Sequence, residues 1–263
     1  MRILLTGRAG QVGSALQPLL APLGELTALG RPELDLADPG RIGALVEQGR
    51  PEVIVNAAAV GVLAAQAKRL DALLAHFYTD YVFDGEKPSP YLESDPARPL
   101  NVYGESKLAG ERAVAASGCR HFVFRTSWVY SGAGRNFLLA ILAAAATRPE
   151  LRVVDDQDGA PTSSAAIARA VAQILARREL RERPSGTYHL SAAGATTWHG
   201  FAKEILAARS PAVPLRPIDS AEYPTAARRP RNSLLDNARL RETFGVALPD
   251  WRDGLASVLR AMR

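Results

Sequence analysis

Two side chains capable of acid–base chemistry stand four positions apart in this chain, Tyr103 and Lys107. On a helix, this spacing places the phenol and the ammonium on one face, one turn apart. A neighbouring positive charge favours the phenolate and lowers a tyrosine pKa from its reference near 10 toward the range useful for proton donation. The pair therefore predicts a proton donor, Tyr103, whose pKa is lowered by Lys107.

A glycine-rich turn near the start of the chain gives that pair a context. Gly7, Gly10 and Gly13 follow the short apolar segment Arg2–Thr6 and lead into a helical pattern over residues 14–23. Glycines permit a tight turn and a close approach of backbone to ligand, and a helix N-terminus accepts a pyrophosphate. We expect a dinucleotide to bind here, with a plain turn into a helix as the alternative. The residues expected to bind it are Gly7, Gly10, Gln11, Val12 and Gly13.

The residues after the second predicted strand bear on the choice of cofactor. A site that prefers NAD usually carries Asp or Glu there for the ribose hydroxyls, whereas this chain has Gly30 and Arg31. Without that carboxylate a 2′-phosphate is tolerated, and Arg8 or Arg31 could pair with it. We therefore predict NADPH as cofactor, with NADH as the alternative, and expect Asp35 and Leu36 to flank the adenine. An exposed arginine without function is the competing interpretation.

Two further strand ends carry residues suited to a ligand site. The segment after residue 56 is small and lets backbone pass close to a cofactor, so we expect contacts from Ala57, Ala58 and Ala59. Thr79 ends the next predicted strand, which places its hydroxyl at the carboxyl edge of the sheet, where this fold class binds ligands. In such a set the hydroxyl orients a carbonyl oxygen, the Tyr103 phenol protonates it, and the Lys107 ammonium holds the cofactor ribose.

Strand and helix patterns alternate along the first two-thirds of the chain. Apolar segments predict strands near residues 26–29, 51–56, 73–79, 122–126 and 151–154, and helical patterns occur near 103, 136–147 and 163–177. This alternation predicts an α/β fold with a doubly wound parallel sheet of the Rossmann type. From residue 187 the pattern loosens into a strand (187–190), a helix (197–208) and a proline-rich stretch. We therefore predict a dinucleotide-binding domain over 1–186 and a smaller C-terminal substrate lobe over 187–263.

Composition narrows the class of protein. The chain has 263 residues, of which 47% are apolar and 22% charged, so it can bury a sizeable core. The net charge of +5 comes from scattered arginines, which predicts no nucleic-acid partner. Cys119 is the single cysteine and no apolar run reaches membrane-spanning length, so we expect a cytoplasmic protein without membrane attachment. No metal site is predicted.

Several segments, taken with these motifs, resemble the extended short-chain dehydrogenase/reductase family, and within it the branch that reduces dTDP-4-dehydrorhamnose. Thr-Asp-Tyr-Val-Phe (79–83) and Arg-Thr-Ser-Trp-Val-Tyr (125–130) separate this branch from other extended reductases, whereas the glycine turn does not. The other matching segments are residues 6–13, 55–59, 99–104 with Lys107, 156–157, 159–162, 228–230, 232–233 and 249–251.

The resemblance implies an NADPH-dependent reductase that acts on the C4 carbonyl of a nucleotide-linked sugar, the last step in making dTDP-L-rhamnose. It implies that Tyr103 is the proton donor, Lys107 its partner and Thr79 the hydroxyl that orients the substrate. The substrate-binding residues that it implies are Thr79, Asp80, Trp128, Asn136 and Arg229.

The chain departs from the family pattern in two places. After Ala59 it is shorter by roughly 20 residues, which leaves a crossover close to the minimum of about a dozen residues. We interpret this as a loop omitted from the sequence, which predicts a Cα–Cα separation between Ala59 and Val60 far above roughly 3.8 Å. An engineered cut and a genuine shortening are the alternatives. The second departure is Tyr78 in place of a serine, which we expect to face away from Thr79 because successive strand residues alternate.

Two other functions stay open at this point. The substrate could be another nucleotide-linked 4-keto sugar, because sugar selectivity depends on pocket shape. The chain could also be a non-catalytic regulatory subunit of the same fold, although the presence of both Tyr103 and Lys107 favours an enzyme. A homodimer is also left open.

Overall fold

The computed structural model describes residues 1–31, 33–35, 38–57, 61–209, 213–225 and 227–262. Its strands are β1 (Arg2–Thr6), β2 (Glu25–Leu29), β3 (Val53–Asn56), β4 (Leu73–Thr79), β5 (His121–Thr126), β6 (Val129–Tyr130), β7 (Leu151–Val154), β8 (Asp158–Gly159), β9 (Thr162–Ser163), β10 (Gly186–His189), β11 (Thr196–Thr197) and β12 (Leu215–Ile218). Its α-helices are α1 (Gln11–Leu20), α2 (Pro39–Gly49), α3 (Gly61–Leu70), α4 (Val102–Ser117), α5 (Phe137–Ala145), α6 (Ser164–Ala176), α7 (Arg178–Arg181), α8 (Trp198–Arg209), α9 (Ala238–Phe244) and α10 (Trp251–Ala261).

The central sheet of the described chain has the strand order β10-β5-β4-β3-β1-β2, and each neighbouring pair is parallel. The order in which strands are added reverses between β1 and β3: β2 lies on one side of this pair, next to β1, and β4 lies on the other side, next to β3. The carboxyl ends of β1 and β3 therefore flank a crevice of the kind that binds ligands in open α/β sheets. The prediction of a doubly wound parallel sheet is confirmed.

Helices cover both faces of the sheet because alternate strand residues are apolar on both sides. Ile3 and Leu5 of β1 join the core cluster that includes residues of α1 and α6, whereas Leu4 joins the cluster that includes residues of α2 and α3. Strands buried on both faces are continuously apolar, as is typical of parallel sheets. The apolar segments identified from the sequence are therefore the interior of a two-layered core.

The smaller part of the molecule has its own apolar cluster. Helices α5, α8 and α10 contribute to it, together with β7, which pairs with β12 in parallel. Among its largest fully buried side chains are Tyr130, Phe201 and Trp251. All members of this cluster follow β5 in the chain. Residues packed against it form one wall of the candidate site described below.

Four expectations about the elements need correction or comment. The first helix begins at Gln11 rather than at residue 14, directly after the glycine turn. The strand expected at 187–190 is β10, and it pairs with β5 at the edge of the main sheet instead of opening the smaller lobe. The division into domains 1–186 and 187–263 stays a prediction. The expected wide separation of Ala59 and Val60 concerns residues outside those that the structure describes.

Candidate active site

The glycine turn has the shape that a dinucleotide needs. Gly7 has φ +75°, and a Cβ built on it would lie 2.9 Å from the carbonyl oxygen of Ala57. A Cβ on Gly13 would lie 2.1 Å from the carbonyl oxygen of Gly7, so a side chain fits at neither position. Because of these two glycines the first turn of α1 packs tightly against the end of β1 and presents its N–H groups to the crevice. The residues present therefore fit a dinucleotide.

The floor of the crevice is set by two buried polar side chains. Thr6 ends β1 and donates through Oγ1 to Oδ1 of Asn56, which ends β3, at 2.6 Å. The Ala57 N–H donates to the Thr6 carbonyl oxygen at 3.2 Å. These bonds hold the two strand ends together at the reversal point. Ala57 thus lies against the glycine turn, while Ala58 and Ala59 fall outside the described residues.

The other residues expected to bind cofactor lie partly in the first turn of α1 and partly after the end of β2. Gln11 lies in the first turn of α1, and its Oε1 accepts a hydrogen bond from Ser131 Oγ at 3.1 Å. The Val12 side chain packs against the main core, so that Val12 offers its backbone rather than its side chain to the crevice. Arg31 and Asp35 are exposed beyond the end of β2. Leu36 lies outside the described residues.

Thr79, Tyr103 and Lys107 come together at the carboxyl edge of the sheet. Thr79 is the last residue of β4, and Tyr103 and Lys107 lie in the first two turns of α4. The Thr79 hydroxyl lies close enough to the Tyr103 hydroxyl to lower the Tyr103 pKa. Lys107 Nζ lies 5.5 Å from the centre of the Tyr103 ring. The expected hydroxyl, phenol and ammonium thus occupy one site.

Local packing explains why α4 begins where it does. The Asn101 side chain caps the helix by accepting from the Gly104 N–H at 2.9 Å, and its Nδ2 donates to the Arg228 carbonyl oxygen at 2.8 Å. A Cβ on Gly104 would lie 2.2 Å from the carbonyl oxygen of Tyr81, so the helix approaches the turn after β4 closely only because residue 104 is glycine. This contact brings Tyr103 to Thr79.

A buried ion pair holds the middle of α4 to the sheet. Arg125 of β5 donates from Nε and Nη2 to the two carboxylate oxygens of Glu111, at 2.9 and 2.6 Å, and both side chains are 6% exposed. Removing one partner of such a pair leaves an uncompensated buried charge and is strongly destabilising. The pair therefore fixes the register of α4, and with it the position of Tyr103, relative to β4 and β5.

The electrostatics around Tyr103 correct one expectation. Partial burial raises the pKa of Tyr103 above its usual value of 10, the charge of Asp80 adds to the rise, and the hydrogen bond from Thr79 opposes it. We expected the Lys107 ammonium to lower this pKa. In the structure the ammonium faces the rings of Tyr103 and Tyr78, at 5.5 and 5.9 Å from their centres, and burial dominates. Tyr103 is therefore a neutral phenol with its proton in place near pH 7.

Asp80 organises the hydroxyl groups around Tyr103 from below. It is fully buried, and burial raises its carboxyl pKa while hydrogen bonds from Thr79, Ser127 and Ser233 oppose the rise. Thr79 Oγ1 donates to Oδ1 at 2.8 Å and Ser127 Oγ donates to Oδ2 at 2.9 Å. Thr79 donates its one hydroxyl proton to Asp80 here, and the effect of the same hydroxyl on Tyr103 is to lower its pKa, so Thr79 favours the phenolate that proton transfer would leave. The expected contact of Asp80 with substrate stays a prediction; its hydrogen bond shows that it holds the Thr79 hydroxyl.

The substrate side of Tyr103 is a cavity of about 780 Å³. Its wall includes the two tryptophans Trp128 and Trp198, and the sequence analysis identified the first but missed the second. Their rings are stacked, with centres 3.5 Å apart and planes at 6°. A Cβ on Gly159 would lie 2.3 Å from Trp128 Cε2, which places Gly159 against the other face of that ring. Trp128 therefore presents an edge, not a free face, to a ligand.

Asn136 and Arg229 also line this cavity. Asn136 caps α5 by accepting from the Leu139 N–H at 3.2 Å, and its Nδ2 donates to the carbonyl oxygens of Ser131 and Ala133 at 3.0 and 3.1 Å. Its amide thus shapes the loop at the cavity mouth. Arg229 borders this cavity and also a neighbouring one of about 1240 Å³.

That neighbouring cavity is rich in arginine and shares part of its wall with the first. Phe137, Ala140, Trp198 and Arg229 line both. The arginines that line the larger cavity are Arg148, Arg152, Arg228, Arg229 and Arg231. Guanidinium groups are the preferred partners of phosphate oxygens. Four carboxylates line the same cavity (Asp84, Glu86, Asp156 and Asp219) and Arg152 pairs with Glu222. Arg229, which lines both cavities, is therefore the arginine best placed for a phosphate of a ligand that extends across them.

Neither a metal site nor a membrane-spanning helix occurs among the described residues. No group of three or more His, Cys, Asp or Glu side chains is arranged there to hold a metal ion. Nor does any helix within those ranges combine the length and the apolar character that crossing a bilayer requires.

Comparison with known proteins places the whole chain. The family model for the RmlD substrate binding domain matches residues 1–61 and 56–263. Over 294 aligned residues the chain is 46% identical to a dTDP-4-dehydrorhamnose reductase of Burkholderia thailandensis, covering 99% of this chain and 98% of the relative. It is 39% identical to the reductase of that name from Escherichia coli strain K12 over 293 residues, covering 100% and 98%.

Solved structures agree with these relatives. A dTDP-4-dehydrorhamnose reductase of Bacillus anthracis in complex with NADP superposes with a TM-score of 0.92 at 30% identity, over 99% of both chains. A second, from Clostridium acetobutylicum, has a TM-score of 0.93 at 32% identity and covers 100% of this chain and 99% of the other. The aligned stretch of the relatives is longer than the 263 residues of this chain, and the two matched ranges of the family model meet at 56–61. Both findings agree with a shortened segment after Ala59.

Proposed function

Because this chain belongs to the dTDP-4-dehydrorhamnose reductase family, we propose that it reduces the C4 carbonyl of dTDP-4-dehydro-β-L-rhamnose to give dTDP-β-L-rhamnose. NADPH is the proposed reductant, as one solved relative was crystallised with NADP, and NADH is the alternative. Bound NADPH supplies a hydride to the sugar C4. The substrate is a small nucleotide sugar, and the single cysteine supports the cytosol as the site of action.

One observation carries this proposal. The Tyr103 phenol and the Thr79 hydroxyl lie on the border of the cavity that Trp128 and Arg229 also line. The same sheet edge carries the glycine turn at the end of β1. A ketone held in the cavity would therefore have the proton donor on one side and the dinucleotide crevice on the other. Orientation and proton supply are the contributions that a protein makes to such a reduction.

We propose that Tyr103 gives its proton to the developing alkoxide at O4. Its raised pKa keeps the phenol protonated at neutral pH, so the proton is available when a substrate arrives. Proton transfer leaves a phenolate, and the Lys107 ammonium close to the ring stabilises that negative charge. Lys107 thus acts on the charged product of the transfer rather than on the resting phenol.

Thr79 and Asp80 complete the proposed machinery as an oriented chain of hydroxyls. Asp80 accepts from Thr79 and Ser127, which fixes the Thr79 hydroxyl beside Tyr103. A carbonyl oxygen bound in the cavity would accept the Tyr103 proton, with the Thr79 hydroxyl next to it. Asp80 is proposed as a positioning residue for Thr79.

A different substrate is the first alternative, since the arginine-lined cavity would accept the diphosphate of other nucleotide-linked 4-keto sugars. The second alternative, a regulatory subunit, is less well supported because Tyr103, Lys107 and Thr79 are all present and assembled. Assembly into a homodimer is an open part of the proposal.

The test is oxidation of NADPH, followed at 340 nm, on addition of dTDP-4-dehydro-L-rhamnose, with product stereochemistry determined afterwards. A UDP-linked 4-keto sugar serves as the control substrate. Tyr103→Phe should lose about 10²–10⁴-fold in kcat, the range for general acid catalysis, while binding NADPH within a few-fold of the wild type. Turnover of Tyr103→Phe within a few-fold of the wild type would rule out Tyr103 as the acid. Absence of turnover in the wild type with every 4-keto sugar would rule out the reductase.

A further inference from the structure

The end of β2 holds a basic side chain where dinucleotide sites commonly hold an acidic one. Gly30 occupies the position after β2, and a Cβ built on it would lie 3.1 Å from Arg8 Cγ. The stem of Arg8 therefore fills the space that a side chain at position 30 would take. Its backbone is held there on both sides: the Arg8 N–H donates to the Leu29 carbonyl oxygen at 3.1 Å, and its own carbonyl oxygen accepts from Gln17 Nε2 at 3.0 Å.

The carboxylate absent from position 30 is supplied three residues later. Glu33 Oε1 lies 2.6 Å from Arg8 Nη2, and the two side chains are 40% and 41% exposed. The second oxygen, Glu33 Oε2, is buried and has no hydrogen-bond partner in the described part of the chain. A buried carboxylate oxygen normally has a donor, so this one points to a donor that a ligand would bring.

Arg8 and Glu33 therefore offer opposite charges to the same end of a dinucleotide. A ribose hydroxyl donates and suits the unpartnered Glu33 oxygen, whereas a 2′-phosphate accepts and suits the Arg8 guanidinium. Partly exposed ion pairs are weak, so drawing Arg8 away from Glu33 costs only a few-fold in affinity. The ion pair thus offers one partner to each of the two cofactors, Glu33 to NADH and Arg8 to NADPH.

We propose that the Arg8–Glu33 ion pair selects between NADPH and NADH. In this inference Glu33 accepts from the adenosine 2′-hydroxyl of NADH, and Arg8 binds the 2′-phosphate of NADPH after leaving Glu33. Glu33 opposes NADPH twice, by holding Arg8 and by repelling the phosphate. The inference rests on the proposed function, because it requires that the glycine turn bind a nicotinamide dinucleotide.

The experiment measures dissociation constants of NADPH and of NADH by the fluorescence of the reduced nicotinamide, without sugar substrate. Glu33→Gln preserves shape and removes the charge; it should tighten NADPH about tenfold and weaken NADH by a few-fold. Arg8→Gln should weaken NADPH at least tenfold and change NADH by less than threefold. Arg31→Gln tests Arg31, which follows β2, as the alternative phosphate partner. Arg69→Gln is the matched control, because it breaks the exposed Arg69–Glu47 ion pair between α3 and α2, and it should shift both constants by less than twofold.

The outcomes separate this inference from the proposed function. If Glu33→Gln and Arg8→Gln both leave the ratio of the two constants within twofold of the wild type, the selector is refuted while the dinucleotide site stands. If Arg31→Gln alone shifts the ratio, Arg31 and not Arg8 contacts the phosphate, which also refutes it. If the wild type binds neither cofactor, the proposed function fails together with the inference. Circular dichroism checks that each variant is folded.

Discussion

Helix α4 carries the proposed proton donor, and one contact beneath it can be tested by a double substitution. Tyr78 of β4 is buried against this helix, and its hydroxyl has no partner among the described residues. A Cβ on Gly110 would lie 2.2 Å from that hydroxyl oxygen and 3.1 Å from Cζ. Gly110→Ala therefore forces α4 and Tyr78 apart, whereas the same change with Phe at position 78 meets no hydroxyl.

The magnitudes follow from these distances. Tyr78→Phe removes a buried hydroxyl without a partner and should stabilise the fold by about 1 kcal/mol, at the low end of the desolvation cost of such a group. Gly110→Ala gains about 0.5–1 kcal/mol of helix propensity but incurs an overpacking cost near the upper end of 1–3 kcal/mol, a net loss of about 2 kcal/mol. In the double variant most of that cost disappears, so the coupling between the two sites should be about 2 kcal/mol.

Urea unfolding of the four proteins measures this coupling. Turnover should follow stability, because Gly110→Ala displaces the helix that holds Tyr103 and Lys107, and Tyr78→Phe should restore most of the activity lost. The reasoning is refuted if the free energies of unfolding add within about 0.5 kcal/mol, as they do for sites that do not touch. Additivity would mean that Tyr78 does not lie under Gly110.

Three further predictions concern the cavity and its acid. Burial and Asp80 raise the Tyr103 pKa above 10, and the protonated phenol is the active form. Turnover should therefore show no loss assignable to Tyr103 between pH 7 and 9 and should fall above pH 10. A fall in kcat centred near pH 8 would contradict this. Asp80→Asn should lower kcat about tenfold and leave the NADPH dissociation constant unchanged, because the new amide can donate to Thr79 and turn its hydroxyl proton away from position 80. Equal losses of kcat and cofactor affinity would instead indicate that the substitution disturbs the fold. Trp198→Ala removes the ring stacked on Trp128 and should raise the KM for the nucleotide sugar about tenfold, so an unchanged KM would show that this wall does not meet the substrate.

Much of the site could be predicted because its members lie close in sequence or at strand ends. Tyr103 and Lys107 share a helix whose start Asn101 marks, and Thr79 stands where a strand must end. Helical spacing and strand termination are local properties, so a pattern of residues suffices to place them. Tyr78 joins the cluster that includes residues of α2 and α3, as the alternation of strand residues predicts. It is nevertheless close to the site, because Lys107 Nζ lies 5.9 Å from the centre of its ring.

The errors concern contacts between segments far apart in the chain. The strand Gly186–His189 was expected in the smaller lobe, yet it pairs with β5, because strand partners in a parallel sheet are chosen by topology rather than by proximity in sequence. Trp198 was missed because its partner, Trp128, lies 70 positions earlier. The expected lowering of the Tyr103 pKa failed since charge spacing along a helix does not report burial.

Residue types and spacing alone determined the α/β class, the glycine turn, the acid with its ammonium and the family to which the chain belongs. Tertiary structure alone decided that Asp80 is buried beneath Thr79, that both faces of Trp128 are covered, and that Glu33 holds Arg8 at the end of β2. The physical reason is that periodicity and glycine placement act within a few residues, whereas desolvation, ring stacking and ion pairing depend on which distant segments packing brings together.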